Sequence, residues 1–132
     1  MYHGHSFTAN PLACAAALAS LELLGSKETQ DNIQRICTRH SDFAALLKAH
    51  PKVKEVRQTG TILAIEWQSN EATSYFNETR AQLYAFFLEN GILIRPLGNI
   101  IYLLPPYCMS DEDLSYIYET IMLFCTESMV SP

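Results

Sequence analysis

The segment "HGHSFTANP", residues 3–11, contains side chains of the types that bind a small anion. Ser6 and Thr8 carry hydroxyl donors, and the segment leads directly into the predicted start of a helix. A helix N-terminus presents unpaired N–H groups and the positive end of the helix dipole, so it favours phosphate or carboxylate. Ordinary helix capping, in which a loop side chain takes up those N–H groups, requires the same residue types. The segment therefore predicts either an anion site or an ordinary cap.

Arg95 is the second candidate for chemistry. It follows the apolar residues 92–94 and precedes Pro96 and the turn "PLGN". Backbone next to proline is rigid, and the planar fork of a guanidinium group suits a carboxylate. The alternative is a solvated arginine beside a hairpin turn. On its own, Arg95 predicts a carboxylate contact only if a second feature supports it.

Other reactive combinations are weak. His3 and His5 have the spacing of half a metal site, but no third ligand is evident, so no metal is predicted. His40 and His50 fall on a helix face and at a helix end, and no Ser-His-Asp, Cys-His or paired-carboxylate arrangement is apparent. No residue of the sequence is therefore assigned a catalytic role.

The first element that positions these residues is the helix "NPLACAAALASLELLG", residues 10–25. Asn10 is a suitable N-cap, Pro11 suits the first helical position and Gly25 suits the C-terminal end. This helix is apolar nearly all round and rich in alanine, which is typical of a helix buried on several sides. We expect it to pack against protein mass beyond these 132 residues.

The remaining pattern predicts a two-layer α+β domain, with a small, mostly antiparallel sheet and helices on one face. A hairpin of "ILIR" and "IIYLL" is expected around the turn Gly98-Asn99, and Ser110 to Asp113 resembles a capping box. The expected order is α-α-β-β-α-β-β-α. The predicted segments are helix 29–49, strands 53–59 and 61–67, helix 77–90, strands 92–95 and 100–104, and a last helix that ends at Glu127.

Length and composition exclude several classes of protein. The 132 residues fit one domain, and the net charge is −5 with scattered basic residues, which argues against nucleic-acid binding. No apolar run reaches the roughly 20 residues that a membrane span requires. The four cysteines form no CxxC pair and are expected as free thiols in a reducing cytoplasm, so a cytoplasmic location is predicted.

Two segments together resemble one known family. "HGHSFTANPLACAAALASLELL" looks like the segment that opens the C-terminal part of class III, fold-type I aminotransferases, which use pyridoxal phosphate. "GILIRPLGNIIYLLPPY" resembles a second segment of that family and is most like its biotin-synthesis branch. The resemblance covers essentially the whole chain, because the elements between the two segments come in the expected order.

The resemblance implies a role for four residues. Ser6 matches the residue that contacts the cofactor phosphate, and His5 adjoins it in that contact. Gly4 matches a glycine whose backbone lies against the substrate, and Arg95 matches the arginine that receives the carboxylate of the keto-acid substrate. The loop is implied to reach the cofactor of the second subunit of a homodimer. Ala9 departs from the glycine often found there, which affects the expected loop shape.

The resemblance also implies how the chain is used. Residues 1–132 would be the C-terminal small domain, with 1–25 as the phosphate loop and linking helix, beside a large pyridoxal phosphate domain of the same chain that carries the cofactor-binding lysine. Adenosylmethionine would donate an amino group to 8-amino-7-oxononanoate, whereas the 132 residues alone would lack cofactor and activity. The alternatives are another class III aminotransferase, for ornithine, acetylornithine or an ω-amino acid, and a free-standing, non-catalytic α+β binding module.

Overall fold

The computed structural model describes residues 4–5, 8–68 and 78–127. Within these residues the chain forms four helices and three strands, which confirms the predicted α+β class. In chain order they are α1 (Pro11–Gly25), α2 (Lys27–Leu47), β1 (Val53–Thr59), β2 (Ile62–Trp67), α3 (Glu78–Glu89), β3 (Ile100–Leu103) and α4 (Asp111–Glu127).

The three strands form one antiparallel sheet in the order β1-β2-β3, so β2 is the central strand. Val56, Ile65 and Ile101 lie in one row across the sheet. Leu63, Ile65 and Trp67 alternate along β2 and are all buried, as the period of two in the sequence predicts. One face of the sheet therefore packs against the hydrophobic core.

Helices α2, α3 and α4 share a single core with that face of the sheet. Full burial of a large aliphatic or aromatic side chain stabilises a fold by about 1.5–3 kcal/mol, so these helices are fixed mainly by the core. The buried helix residues are Ile36, Phe43, Ala44 and Leu47 of α2, Leu83 and Phe87 of α3, and Leu114, Tyr118, Ile121, Phe124 and Cys125 of α4.

Side-chain caps define where the helices begin. Ser26 Oγ accepts a hydrogen bond from Thr29 N–H at 3.2 Å, so α2 begins at Lys27, two residues before the predicted position. Ser110 Oγ accepts from Asp113 N–H at 3.0 Å, which confirms the predicted capping interaction at the start of α4. These local bonds fix where each helix enters the core.

The predicted strand "ILIR", residues 92–95, is wrong. These residues have no strand partner in the described part of the chain, because Ile92 N–H donates to the Phe87 carbonyl at the end of α3 and Pro96 has no N–H. Only an isolated bridge between Leu97 and Ile100 remains of the expected hairpin. The apolar pattern of this segment reflects the burial of Ile94 rather than sheet pairing.

Helix α1 lies outside the core. None of its residues is buried, and its packing within the described chain is on α2. The burial expected from its composition is thus not provided by the described residues. None of the described helices has both the length and the apolarity that crossing a membrane requires.

Candidate functional site

The loop before α1 is a closed turn between His5 and Thr8. His5 N–H donates to Thr8 Oγ1 at 3.0 Å, and Thr8 N–H donates to the His5 carbonyl at 3.0 Å. Ser6, the predicted phosphate contact, lies outside the described residues, as does His3 of the histidine pair. His5 is exposed on this turn, so its side chain is accessible to a ligand.

Backbone conformation in this loop suits glycine at Ala9, and the surroundings of Gly4 are open. Ala9 has φ of 58°, the left-handed region that glycine adopts more readily, at the position where the resembled family often has glycine. A Cβ added to Gly4 would meet nothing within 4 Å, so its own chain leaves open space there. The close approach predicted for Gly4 therefore requires another molecule or another part of the protein.

The start of α1 is capped by its own chain. Asn10 Oδ1 accepts from Leu12 N–H at 3.0 Å and from Ala13 N–H at 3.2 Å, while Cys14 N–H donates to the Asn10 carbonyl. Because Pro11 has no N–H, the first turn keeps no free donor. The predicted cap by Asn10 is thus confirmed. Any phosphate contact must come from the loop before Asn10.

Arg95 is exposed and makes no hydrogen bond or ion pair within the described part of the chain. Both neighbours, Ile94 and Pro96, are buried, so the backbone on either side is anchored while the guanidinium group is free. A proline after Arg95 also restricts the backbone of Arg95 to extended conformations. The Arg95 side chain therefore projects from an anchored backbone and is not engaged with the described part of its own chain.

A cavity of about 350 Å³ adjoins Arg95, which is the only charged residue in its lining. An apolar hollow with a single fixed cation suits a carboxylate that carries an aliphatic chain. The lining residues are Ile92, Leu93, Ile94, Arg95, Tyr102, Leu103, Leu104, Pro105, Pro106, Met109, Leu114 and Ile117.

His40 forms a buried bridge that the sequence analysis did not find. Its Nε2 lies 3.1 Å from the Thr61 carbonyl, which can only accept, so Nε2 carries the proton and Nδ1 accepts from the Tyr118 hydroxyl at 2.6 Å. Burial lowers the pKa of His40, and the hydrogen bond to Thr61 opposes this shift. Burial also raises the pKa of Tyr118 to about 12. The pair is a neutral structural link in which His40 is fully buried.

Glu66 is also buried, on the side of the sheet away from the core. Its carboxylate lies 2.6 Å from Lys54 Nζ and 3.6 Å from Arg57. Both cations belong to the neighbouring strand β1. This carboxylate is therefore paired with two cations.

The two predicted parts of the site are attached to different elements. The His5 loop precedes α1, which packs on α2, whereas Arg95 lines a cavity with β3 and the start of α4. Among the described residues, Arg95 makes no hydrogen bond to Gly4, His5 or Thr8 of the loop. The four lysines are engaged elsewhere or exposed at a helix end, and none lines the Arg95 cavity. The described residues thus offer an exposed arginine beside an apolar cavity, and no lysine lines that cavity.

Comparison with known proteins gives a consistent picture. The family model for class-III aminotransferases matches residues 1–124. The adenosylmethionine-8-amino-7-oxononanoate aminotransferase of Synechococcus elongatus is 45% identical over 120 residues, which are 91% of this chain and 28% of that protein. Its counterpart in Methanocaldococcus jannaschii is 33% identical over 126 residues, 92% of this chain and 27% of that protein. This chain spans little more than a quarter of the curated relatives it matches.

Solved structures agree with this match. The crystal structure of the Methanocaldococcus jannaschii enzyme superposes with a TM-score of 0.83 at 31% identity, over 96% of this chain and 30% of that one. The ornithine aminotransferase from Toxoplasma gondii superposes with a TM-score of 0.75 at 27% identity, over 95% of this chain and 29% of that one. In both, the matched region is a minor part of a longer chain.

Proposed function

Because the chain belongs to the class-III aminotransferase family, we propose that it is the C-terminal small domain of a pyridoxal phosphate-dependent aminotransferase. Residues 1–25 would form the phosphate loop and the linking helix, and residues 26–132 the rest of the domain. The relatives it matches are more than three times longer, which supports a separate large domain that holds most of the cofactor. When bound, pyridoxal phosphate carries the amino group from donor to acceptor.

The residues of this chain fit the outer contacts of such a site. In this proposal His5 and Ser6 contact the cofactor phosphate, Gly4 presents backbone to the substrate, and Arg95 binds the substrate carboxylate. The exposed turn at His5 and the open space at Gly4 leave room for those contacts. The lysine that binds the cofactor would come from the large domain, since no lysine lines the Arg95 cavity.

The packing of α1 supports a further partner. Its leucine side chains are exposed, with Leu12 at 82%, Leu18 at 63% and Leu21 at 64%. A large exposed apolar surface on a domain commonly covers a protein interface. We therefore assign the exposed apolar surface of α1 to contact with the large domain and the second subunit of a homodimer.

We propose that the full enzyme transfers an amino group from adenosylmethionine to 8-amino-7-oxononanoate. The names of the relatives at 45% and 33% identity support this choice. The observation that carries it is Arg95, an unpaired arginine beside an apolar cavity of about 350 Å³. That combination suits the acceptor, which has a carboxylate on an aliphatic chain.

Arg95→Ala in the full-length enzyme tests this proposal. Loss of a charge-assisted contact worth about 1.5–3 kcal/mol should lower kcat/KM for 8-amino-7-oxononanoate roughly 10- to 150-fold. Stopped-flow absorbance of the cofactor should show a nearly unchanged amino-donor half-reaction with adenosylmethionine. Lys48→Ala removes an exposed cation at the end of α2 and serves as the control, with no effect on either half-reaction. Equal kinetics for wild type and Arg95→Ala would refute the role of Arg95.

A second candidate is an ornithine-type aminotransferase of the same family. The likeness to the Toxoplasma gondii ornithine aminotransferase supports it. A panel of amino donors separates the two, because adenosylmethionine should be accepted only by the biotin-synthesis enzyme and ornithine only by the other. Turnover with ornithine and none with adenosylmethionine would favour this second candidate.

A further inference from the structure

We propose that Arg80 and Asn99 are positioning residues that set the direction in which Arg95 meets the substrate carboxylate. This inference rests on the proposed function of Arg95. Arg80 belongs to α3 and Asn99 to the turn before β3, and neither lines the Arg95 cavity. Both would act on Arg95 through the backbone between them.

The segment that carries Arg95 is not held by a sheet. Residues 92–96 lack strand pairing within the described chain, although they lie beside a three-stranded sheet. At its start, Ile92 N–H donates to the Phe87 carbonyl at 2.8 Å. A functional side chain on such a segment needs other bonds to hold it within a fraction of an ångström of its working position.

Arg80 supplies one of those bonds. Its Nε donates to the Pro96 carbonyl at 3.3 Å, across 16 residues of sequence. Pro96 fixes its own φ, and it also restricts Arg95 to extended backbone. The main remaining freedom is rotation of the peptide after Pro96, and the Arg80 contact opposes that rotation. Helix α3 thereby fixes the peptide next to Arg95.

Asn99 fixes the other end of the segment to the central strand. Trp67 N–H donates to the Asn99 carbonyl at 3.0 Å, and Asn99 Nδ2 donates back to the Trp67 carbonyl at 2.6 Å. In the register of β2 and β3, Trp67 and Asn99 form the pair next to Glu66 and Ile100. Here the side-chain amide of Asn99 donates the hydrogen bond that its backbone N–H would donate in a regular antiparallel pair. The ladder can therefore end there, and the chain turns at Gly98, whose φ is 60°.

Burial indicates that the Asn99 contact is specific. Asn99 is 1% exposed, and its Oδ1 has no hydrogen-bond partner within the described residues. An unpaired buried acceptor destabilises a fold, so the amide is retained for its donor. Leu97 and Ile100 exchange two backbone hydrogen bonds, of 2.8 and 3.0 Å, and close the turn beside it. The path from β2 to Pro96 is thus short and held by hydrogen bonds at Asn99 and Leu97.

The test compares two acceptors in the full-length enzyme: 8-amino-7-oxononanoate and its primary amide, which lacks the negative charge. The ratio of their kcat/KM values measures recognition of the carboxylate and is unaffected by a general loss of folded enzyme. Misplacement of a binding group by about 1 Å costs up to about 100-fold. We expect Arg80→Met and Asn99→Ala each to lower the ratio roughly 5- to 20-fold, and Arg80→Lys to restore part of it.

Two control variants separate a failure of the Arg95 proposal from a failure of the positioning role. Lys52→Met removes another cation that donates to a backbone carbonyl, that of Cys125 at the end of α4, and should leave the ratio unchanged. Arg95→Ala should bring the ratio close to one. If Arg95→Ala changes nothing, the proposed role of Arg95 fails and this inference fails with it. If Arg95→Ala lowers the ratio but Arg80→Met and Asn99→Ala leave it at the wild-type value, the positioning role alone is overturned.

Discussion

His40 and Tyr118 connect three parts of the fold at the level of single residues. The imidazole belongs to α2, its hydroxyl partner to α4, and its carbonyl partner Thr61 to the turn between β1 and β2. Phe43 stacks on Tyr118 with ring centroids 4.2 Å apart, so this link is surrounded by apolar surface. Such a buried and fully bonded pair stabilises one arrangement of the two helices on the sheet.

The His40 link should make stability depend on pH. Burial lowers the pKa of His40 below its ordinary value of 6.5, so the unfolded chain binds more protons than the folded chain once the pH falls below that value. The stabilisation by neutral His40 is therefore complete above about pH 6.5 and decreases as the pH falls towards the lowered pKa. We expect His40→Leu to lose about 2 kcal/mol of unfolding free energy at pH 7.5, with the deficit narrowing towards pH 5.5.

Urea unfolding at several pH values measures this effect. His50→Leu is the matched control, since His50 lies at the end of α2 and is only half-buried. It should retain the wild-type slope of unfolding free energy against pH. Parallel slopes for wild type and His40→Leu would contradict the assignment of the slope to His40.

At the level of elements, local chemistry made some boundaries predictable and left others unpredictable. Asn10 and Ser110 cap their helices as the sequence predicts, because a cap depends only on the next three residues. The strand predicted for residues 92–95 was wrong for the opposite reason. Its apolar residues fit a strand, but the hydrogen bond from Ile92 to Phe87 and the contact from Arg80 to Pro96 come from α3. Patterns within a strand-length window contain no information about such contacts.

Helix α1 should be the least stable helix of the isolated chain. It has 15 residues and none of them is buried, whereas α2 buries five. Isolated helices of this length are marginal in water, so α1 depends on its cap and its contact with α2. In hydrogen–deuterium exchange, we expect the amides of α1 to exchange much faster than those of the second half of α2.

The cap of α1 provides a sharper version of that experiment. Asn10→Ala removes the acceptor of two N–H groups and should cost α1 about 1 kcal/mol, or roughly a fivefold rise in exchange. Ser110→Ala weakens the cap of α4 and should leave exchange in α1 unchanged. Slow exchange throughout α1 in wild type would show that it is buried in an assembly already present in solution.

For the whole molecule, the sequence indicated the class of fold better than it indicated the site. The period of two in β2 and the apolar faces of α2 and α4 follow from burial in one core, which a single chain specifies. The apolar character of α1 predicted packing against mass beyond these residues, and this stays a prediction, since none of the residues of α1 is buried within the described chain. The role of Arg95 was ambiguous from the sequence, because the cavity beside Arg95 is built by residues of several elements and is not visible in the local sequence.

The same exposed surface should govern the behaviour of the isolated chain. Leu18 and Leu21 lie three residues apart on α1, so they share a helix face, and they are 63% and 64% exposed. We expect the 132-residue chain to self-associate through this face, with a sedimentation coefficient that rises with concentration. Leu18→Glu with Leu21→Glu should abolish that rise, because glutamate supports a helix but opposes apolar contact. Leu46→Glu, at a residue 70% exposed on α2, is the control and should still self-associate; an equal loss in both variants would show that α1 is not the contact surface.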